Sequence, residues 1–231
     1  MRSAIIIGAS GGIGGALEEA LRDEGAYDEV RGFARSRPGA GHLDLENEAT
    51  IAAAADRVAN GPPVGLLLIA TGLLHEGAHG PEKAMRELDP VWLARSYAIN
   101  AIGPALVLKH FLPLLATTGT PVAAALTARV GSLADNRLGG WHGYRAAKAA
   151  LNMILRGAAV EARRRYDRSI VVGLHPGTVD TPLSRPFQGK VAPGSLFKPD
   201  RAAMQLLDVI DGLKPVDSGK IFAWDGAEIP F

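Results

Sequence analysis

The stretch Ala4-Ile5-Ile6-Ile7-Gly8-Ala9-Ser10-Gly11-Gly12-Ile13-Gly14 decides the fold of this 231-residue chain. Ala4 to Ile7 is wholly apolar and rich in isoleucine, a pattern that suits a strand buried on both faces, as in a parallel sheet. The glycines that follow give a backbone able to take positive φ and place no side chain above it. A helix then starts at about Gly12, with Ile13, Ala16, Leu17, Ala20 and Leu21 on one side and Gly25 placed to end it. A glycine-rich loop between a buried strand and a helix N-terminus suits a dinucleotide pyrophosphate. The spacing Gly8-x-x-x-Gly12-x-Gly14 is not the GxGxxG of the larger dinucleotide folds, so its information lies in its position.

Working outward, the pattern predicts further strands at 29–34, 64–70, 122–127, 169–174 and 220–224. Helices are expected at 12–24, 48–59, 89–116, 140–165 and 199–212, with Pro104 and Pro113 kinking or dividing the third. Strands that alternate with helices throughout specify an α/β, doubly wound parallel sheet of Rossmann type in three layers. With no linker, repeat or change of composition, residues 1–231 read as a single domain. In such sheets ligands bind beyond the carboxyl ends of the strands, where the loops holding Gly8, Ala34, Ala70, Ser132 and His175 would meet.

Composition narrows the function classes. A net charge of +1 leaves no global pull towards nucleic acid or membrane. The run Arg163-Arg164-Arg165 closes a predicted helix, where cations complement the helix dipole. The absence of cysteine excludes disulfides, thiolate metal sites and cysteine nucleophiles, and fits a cytoplasmic location. The N-terminal apolar run enters the glycine loop too soon for a signal peptide. No apolar run approaches the roughly 18 residues needed to span a bilayer, so a soluble chain is expected.

The end of the second strand should select the coenzyme. It reads Phe33-Ala34-Arg35-Ser36-Arg37, without the carboxylate that usually holds the ribose 2′-hydroxyl of NAD. Arg35 and the Ser36 hydroxyl are candidates for a 2′-phosphate, so NADP(H) is expected over NAD(H); the bland alternative is a solvated surface arginine. Asp44-Leu45 falls at the expected adenine side, where Asp44 would accept from the adenine amino group or serve as a helix cap.

Tyr144 and Lys148 lie four apart on a predicted helix and therefore on one face. A lysine ammonium one turn away can depress a phenol pKa of about 10, making tyrosine a usable acid or base. With the glycine loop, the pair proposes hydride chemistry on a nicotinamide cofactor.

In order along the chain, GASGGIG at 8–14, Asn100 in INAIGP, Ser132 in RVGSLADN, Tyr144-x-x-x-Lys148 and His175-Pro176-Gly177-Thr178-Val179-Asp180-Thr181 resemble the short-chain dehydrogenase/reductase family nearly end to end. The resemblance implies a catalytic tetrad of Asn100, Ser132, Tyr144 and Lys148. Tyr144 would exchange a proton with the substrate oxygen, and Lys148 would lower its pKa and hold the nicotinamide ribose. Ser132 would hold the carbonyl oxygen, and Asn100, through a water, would continue the proton path. Gly8, Ser10, Gly12, Ile13, Gly14, Ala70, Thr71 and Gly72 would contact the dinucleotide, with Pro176-Gly177 against the nicotinamide and Val179 and Thr181 at its carboxamide. The segment 183–197 would cover the substrate, and relatives pair into homodimers or homotetramers through their two long central helices. The implied substrate is a small aldehyde, ketone or alcohol; the alternative is a nucleotide-binding signalling protein with little turnover.

Three departures stand out. The asparagine-rich turn of the family appears as Ile69-Ala70-Thr71-Gly72, Ala147 replaces a common serine, and Gly11 stands where many NADP-preferring members carry a basic residue. The segments GSLADNRLGGWHGYRAAKAALN and FAWDGAEIP resemble the C-factor-like branch, whose members include proteins linked to intercellular signalling.

Other candidates are more local. His75 and His79 have metal-compatible helical spacing but lie among glycines with no third ligand, so a loop and no metal site are expected. His142 would line the substrate mouth or face solvent, and Trp141 would pack on substrate or anchor its helix. Phe187 and Phe197 would face substrate or pack beneath the covering loop. The stripe Leu151, Ile154, Leu155, Ala158 and Ala162 would bury in the fold or against a partner subunit.

Overall fold

In the computed structural model, which describes residues 1–231 with the side chain of Lys190 excepted, the first strand divides its side chains between two cores. Ala4 and Ile6 of β1 (Ser3–Ile7) point to one face, Ile5 and Ile7 to the other, and all four are at most 1% exposed. The same alternation continues in β3 (Val64–Ile69), β4 (Val122–Leu126) and β5 (Ile170–His175). With β2 (Glu29–Phe33) and a final strand (Ile221–Ala223), they form a six-stranded sheet in which every paired strand is parallel. The two faces demand different helices. The helices α1 (Gly12–Glu24) and α6 (Pro199–Gly212) cover one through Leu17, Leu21, Leu206 and Ile210. The other is covered by α2 (Glu48–Ala59), α4 (Gly103–Phe111) and α5 (His142–Arg165) through Ile51, Val58, Val107, Phe111, Leu151 and Leu155. The expected three-layer doubly wound architecture is therefore present.

Helix α3 (Pro90–Tyr97) precedes α4, and two short strands follow β5, namely β6 (Thr178–Val179) and β7 (Leu196–Phe197), which pair in parallel apart from the main sheet. The last strand is then β8, and the main order is β2-β1-β3-β4-β5-β8. Before Asp44 the chain makes a single parallel bridge, Ala34 to His42.

The helical stretch 89–116 breaks upstream of its prolines. A π turn over Ala98–Ile102 joins α3 to α4, and Pro104 sits in the first turn of α4. Proline 104 has no N–H to offer the Asn100 carbonyl four residues back, so the regular ladder fails there. Pro90–Leu114 also corrects the expectation that no apolar run is long enough for a membrane. Its best 18-residue window has mean hydropathy 1.3, enough by length and composition. In this fold 44% of that window is buried, and Val107, Leu108 and Phe111 pack against the sheet.

The carboxyl ends of the strands converge. The Gly8 N–H donates to the Phe33 carbonyl, Ala70 N–H to Ile7, and Thr127 N–H to Leu174, each at 2.8 Å. Hydrogen bonds thus tie the loops after β1, β2, β3, β4 and β5 to one edge.

Candidate active site

Three adjoining cavities run along that edge and share walls. The first, about 290 Å³, is bordered by Gly8, Ser10, Arg35, Ser36, Asp44, Leu45, Ala70, Thr71 and Gly72. The second, also about 290 Å³, keeps Ser10, Ala70, Thr71 and Gly72 and adds Gly12, Ile13, Tyr144, Lys148, Pro176 and Thr181. The third, about 430 Å³, keeps Ile13, Tyr144, Pro176 and Thr181 and adds Gly177, Val179, Trp141, Phe187 and other apolar groups. The shared residues make one groove with a polar end and an apolar end.

The glycine loop fits a dinucleotide for two reasons. Gly8 has φ +91°, and a Cβ there would lie 2.7 Å from the Ala70 carbonyl oxygen. Helix α1 begins at the groove with Gly11 as a cap that offers no side chain, leaving its first backbone N–H groups for an anion. Further along, the Thr71 hydroxyl is buried and has no hydrogen-bond partner among the described residues, a vacancy that a ribose or phosphate oxygen would fill. Of the expected cofactor residues, Gly14 and Asn100 do not border the groove; both are buried behind it. Gly14 instead permits close approach to the Gly8 carbonyl.

At the polar end, Arg35 and Ser36 are exposed on the groove wall. Arg37 is spent elsewhere, paired with the buried Glu18. Asp44 accepts the Glu46 N–H at 3.1 Å in a local turn, whereas the cap of α2 is Asn47, so the capping alternative for Asp44 falls away. Arg95 forks onto Glu76 with two 3.0 Å bonds and also pairs with Glu46, joining α3 to the loops around this cavity.

Tyr144 stands where the second and third cavities meet, and Lys148 borders the second. Lys148 is 2% exposed, its Nζ donates to the Leu126 carbonyl at 2.8 Å, and it lies 5.8 Å from the Tyr144 ring centre. Burial pushes the Tyr144 phenol up to about 12 and the Lys148 ammonium down to about 7. The expected depression of the Tyr144 pKa is therefore not what this pocket produces by itself. Removal of each group from water causes both shifts, and it favours the protonated phenol at neutral pH.

Two tetrad members have other partners. Asn100 is fully buried, with Oδ1 accepting the Leu73 N–H at 2.9 Å and Nδ2 donating to the Leu73 carbonyl at 2.7 Å. Its side chain thereby pins the loop after β3. Ser132 does not border any of the three cavities. A 3₁₀ turn at Arg129–Gly131 carries it behind the wall, where its hydroxyl accepts the Asp135 N–H at 3.1 Å.

Among the substrate candidates, Phe187 borders the apolar cavity and packs 5.2 Å from Trp141, which borders it too. His142 starts α5 outside the cavity wall. Phe197 takes the packing alternative. It is 4% exposed in β7, held edge-on to Trp224 at 4.7 Å and under Arg201, so it packs beneath the loop and does not face the cavity. His75 and His79 lie in a loop, one against Phe187 and the Pro182 carbonyl, the other stacked on Trp92.

A family model described as enoyl-(acyl carrier protein) reductase, within the short-chain dehydrogenases/reductases, matches residues 8–196. The chain belongs to the short-chain dehydrogenase/reductase family. It is 38% identical over 155 residues to the C-signal of Myxococcus xanthus, covering 67% of this chain and 88% of that protein. It is 30% identical over 237 aligned positions to 1-hydroxy-2-glutathionyl-2-methyl-3-butene dehydrogenase of Rhodococcus sp., covering 98% of each. The fold is shared with the NADPH-bound carbonyl reductase from chicken fatty liver, at TM-score 0.81 and 23% identity over 100% of this chain and 94% of that one. It is shared equally with the carbonyl reductase Sniffer of D. melanogaster, at TM-score 0.83 and 21% identity over 100% of both.

Within this short-chain dehydrogenase/reductase, the residue most completely missed by sequence reasoning is Glu82. It is 4% exposed and accepts the Gly143 N–H at 3.0 Å, while its carbonyl accepts the Trp141 N–H. Trp141, at φ 53°, gives α5 no side-chain cap, so a carboxylate from a distant loop takes that role one residue before Tyr144. No local spacing signals such a long-range cap. His175 borders the apolar cavity, and its place at the end of β5 is the sequence signal for that position.

Proposed function

We propose that this short-chain dehydrogenase/reductase reduces an aldehyde or ketone with NADPH, using Tyr144 as the proton donor. The observation that carries the reading is the position of the buried Tyr144 phenol where the groove beside the glycine loop meets an apolar cavity. NADPH, when bound, supplies the hydride. The N-terminus of α1 would hold its pyrophosphate, Arg35 and Ser36 its 2′-phosphate, and Lys148 its nicotinamide ribose. Pro176, Gly177, Val179 and Thr181 would flank the nicotinamide. The absence of an acid at the end of β2 supports NADP(H) over NAD(H).

Within the cavity, Leu74, Trp141, Leu183, Phe187 and Val191 offer apolar surface to a substrate body, and Arg129, Asp135 and Arg145 border the same space. Tyr144 then gives its proton to the substrate oxygen as negative charge develops there. The segment 183–197 acts as the cover, since Leu183, Ser184, Phe187 and Val191 all border this cavity. A homodimer or homotetramer is part of the same reading, because the outward side of α5 leaves Met153 and Val160 69% and 50% exposed.

The relative named C-signal favours a second reading, a nucleotide-binding signalling protein with little turnover. A panel of aldehydes, ketones and diketones with NADPH separates the two. Turnover that disappears in Tyr144→Phe, with NADPH binding retained, supports the reductase. Tight NADPH binding without turnover on any compound supports the signalling protein.

A further inference from the structure

Carbonyl reduction places developing negative charge on an oxygen to which Tyr144 offers one hydrogen bond, and a second donor stabilises that charge. Ser132, expected in this role, lies behind the wall. Thr127 borders the cavity beside Tyr144, but its proton is committed. Asn152 Nδ2 donates to the Gly131 carbonyl at 3.2 Å, which turns Oδ1 towards Thr127. An amide oxygen carries no hydrogen, so the Thr127 hydroxyl must donate across their 2.6 Å contact. That hydroxyl can then only accept, and a carbonyl oxygen has nothing to give it. Ala128, next along the wall, has no polar group in its side chain.

His175 borders the same cavity one residue beyond Leu174, whose carbonyl receives the Thr127 N–H. Its Nδ1 is buried and has no hydrogen-bond partner among the described residues. An orphaned buried N–H is rarer than an orphaned acceptor, so the proton belongs on Nε2. Burial, reinforced by Arg129 and opposed by Asp225, holds the imidazole neutral down to about 4, so it does not compete with Tyr144 as a proton source at neutral pH.

We propose that His175 donates the second hydrogen bond to the substrate's carbonyl oxygen, through Nε2–H, in the role expected of a serine hydroxyl. The carbonyl carbon accepts the hydride from NADPH and its π pair moves to oxygen. Tyr144 gives that oxygen its proton, and His175 keeps its own. Alcohol and NADP⁺ result. This inference rests on the reductase reading above.

The test compares wild type with His175→Phe, which keeps a ring but no donor, and His175→Gln, which keeps an N–H. The expected result is a fall in kcat of about 100-fold for phenylalanine with the NADPH Kd unchanged, and recovery to within about tenfold of wild type for glutamine. If phenylalanine prevents folding, adding Ala128→Ser to His175→Ala decides: activity regained over the single variant supports the role, and none overturns it. Wild-type kcat in His175→Phe, or equal losses in both variants together with NADPH binding, overturns this inference alone. A wild type that turns over no carbonyl compound overturns the reductase reading and this inference with it.

Discussion

Tyr144 and Lys148 show what one helical turn supplies and what it leaves to the surroundings. Their common face follows from spacing alone, but their protonation is set by burial, which no spacing reports. With the phenol pushed up to about 12, Tyr144 itself should impose no pH dependence on reduction across neutrality. Alcohol oxidation, which needs the phenolate, should rise with pH through the same range; a reverse rate that is flat from pH 7 to 10 would contradict this account. At the coenzyme end, Arg35→Ala should raise the NADPH Kd by about 10- to 100-fold and leave NADH within about twofold, read by fluorescence titration. Equal effects on both coenzymes would mean that Arg35 is a solvated surface residue. Ser132 marks the limit of residue-scale reading. A 3₁₀ turn at Arg129–Gly131, which the motif does not report, decides which way its hydroxyl faces.

Elements were legible where hydrophobic period and local caps agree. Both α2, capped by Asn47, and α6, opened by Pro199, run as the sequence indicates. The join between α3 and α4 was only partly legible, because Pro104 disturbs the carbonyl four residues upstream and the π turn appears there. The two-residue strands β6 and β7 carry no period, and only their contact with each other defines them. The start of α5 depends on Glu82, some 60 positions away in sequence. Glu82→Ala should cost about 1–2 kcal/mol in chemical denaturation by leaving the Gly143 N–H without an acceptor. It should also lower kcat, because Tyr144 is the next residue, while Glu82→Gln should restore most of both. A stable, fully active alanine variant would remove Glu82 from the positioning of the helix.

For the whole molecule, the sheet gathers five loops at one edge, and the resulting groove keeps titratable groups away from water. Lys148 is protonated in the unfolded chain up to 10.5 but in the fold only below about 7. Between those values the unfolded state binds the extra proton, so stability without coenzyme should rise with pH, by on the order of 3–5 kcal/mol in total. His175 acts with the same sign from about 4 to 6.5. Denaturation from pH 7 to 9.5 should show this slope in wild type and lose it in Lys148→Met; identical slopes would show that Lys148 is not the titrating group. The most direct test of the central claim follows the hydride itself. NADPH deuterated at C4 on either face is supplied with a carbonyl compound that the protein turns over, and the product is examined by mass spectrometry and NMR. The account predicts one deuterium on the alcohol carbon from one face only, with product formation largely abolished in Tyr144→Phe. NADPH consumed without deuterium reaching that carbon from either face, or labelled product undiminished in Tyr144→Phe, would contradict it.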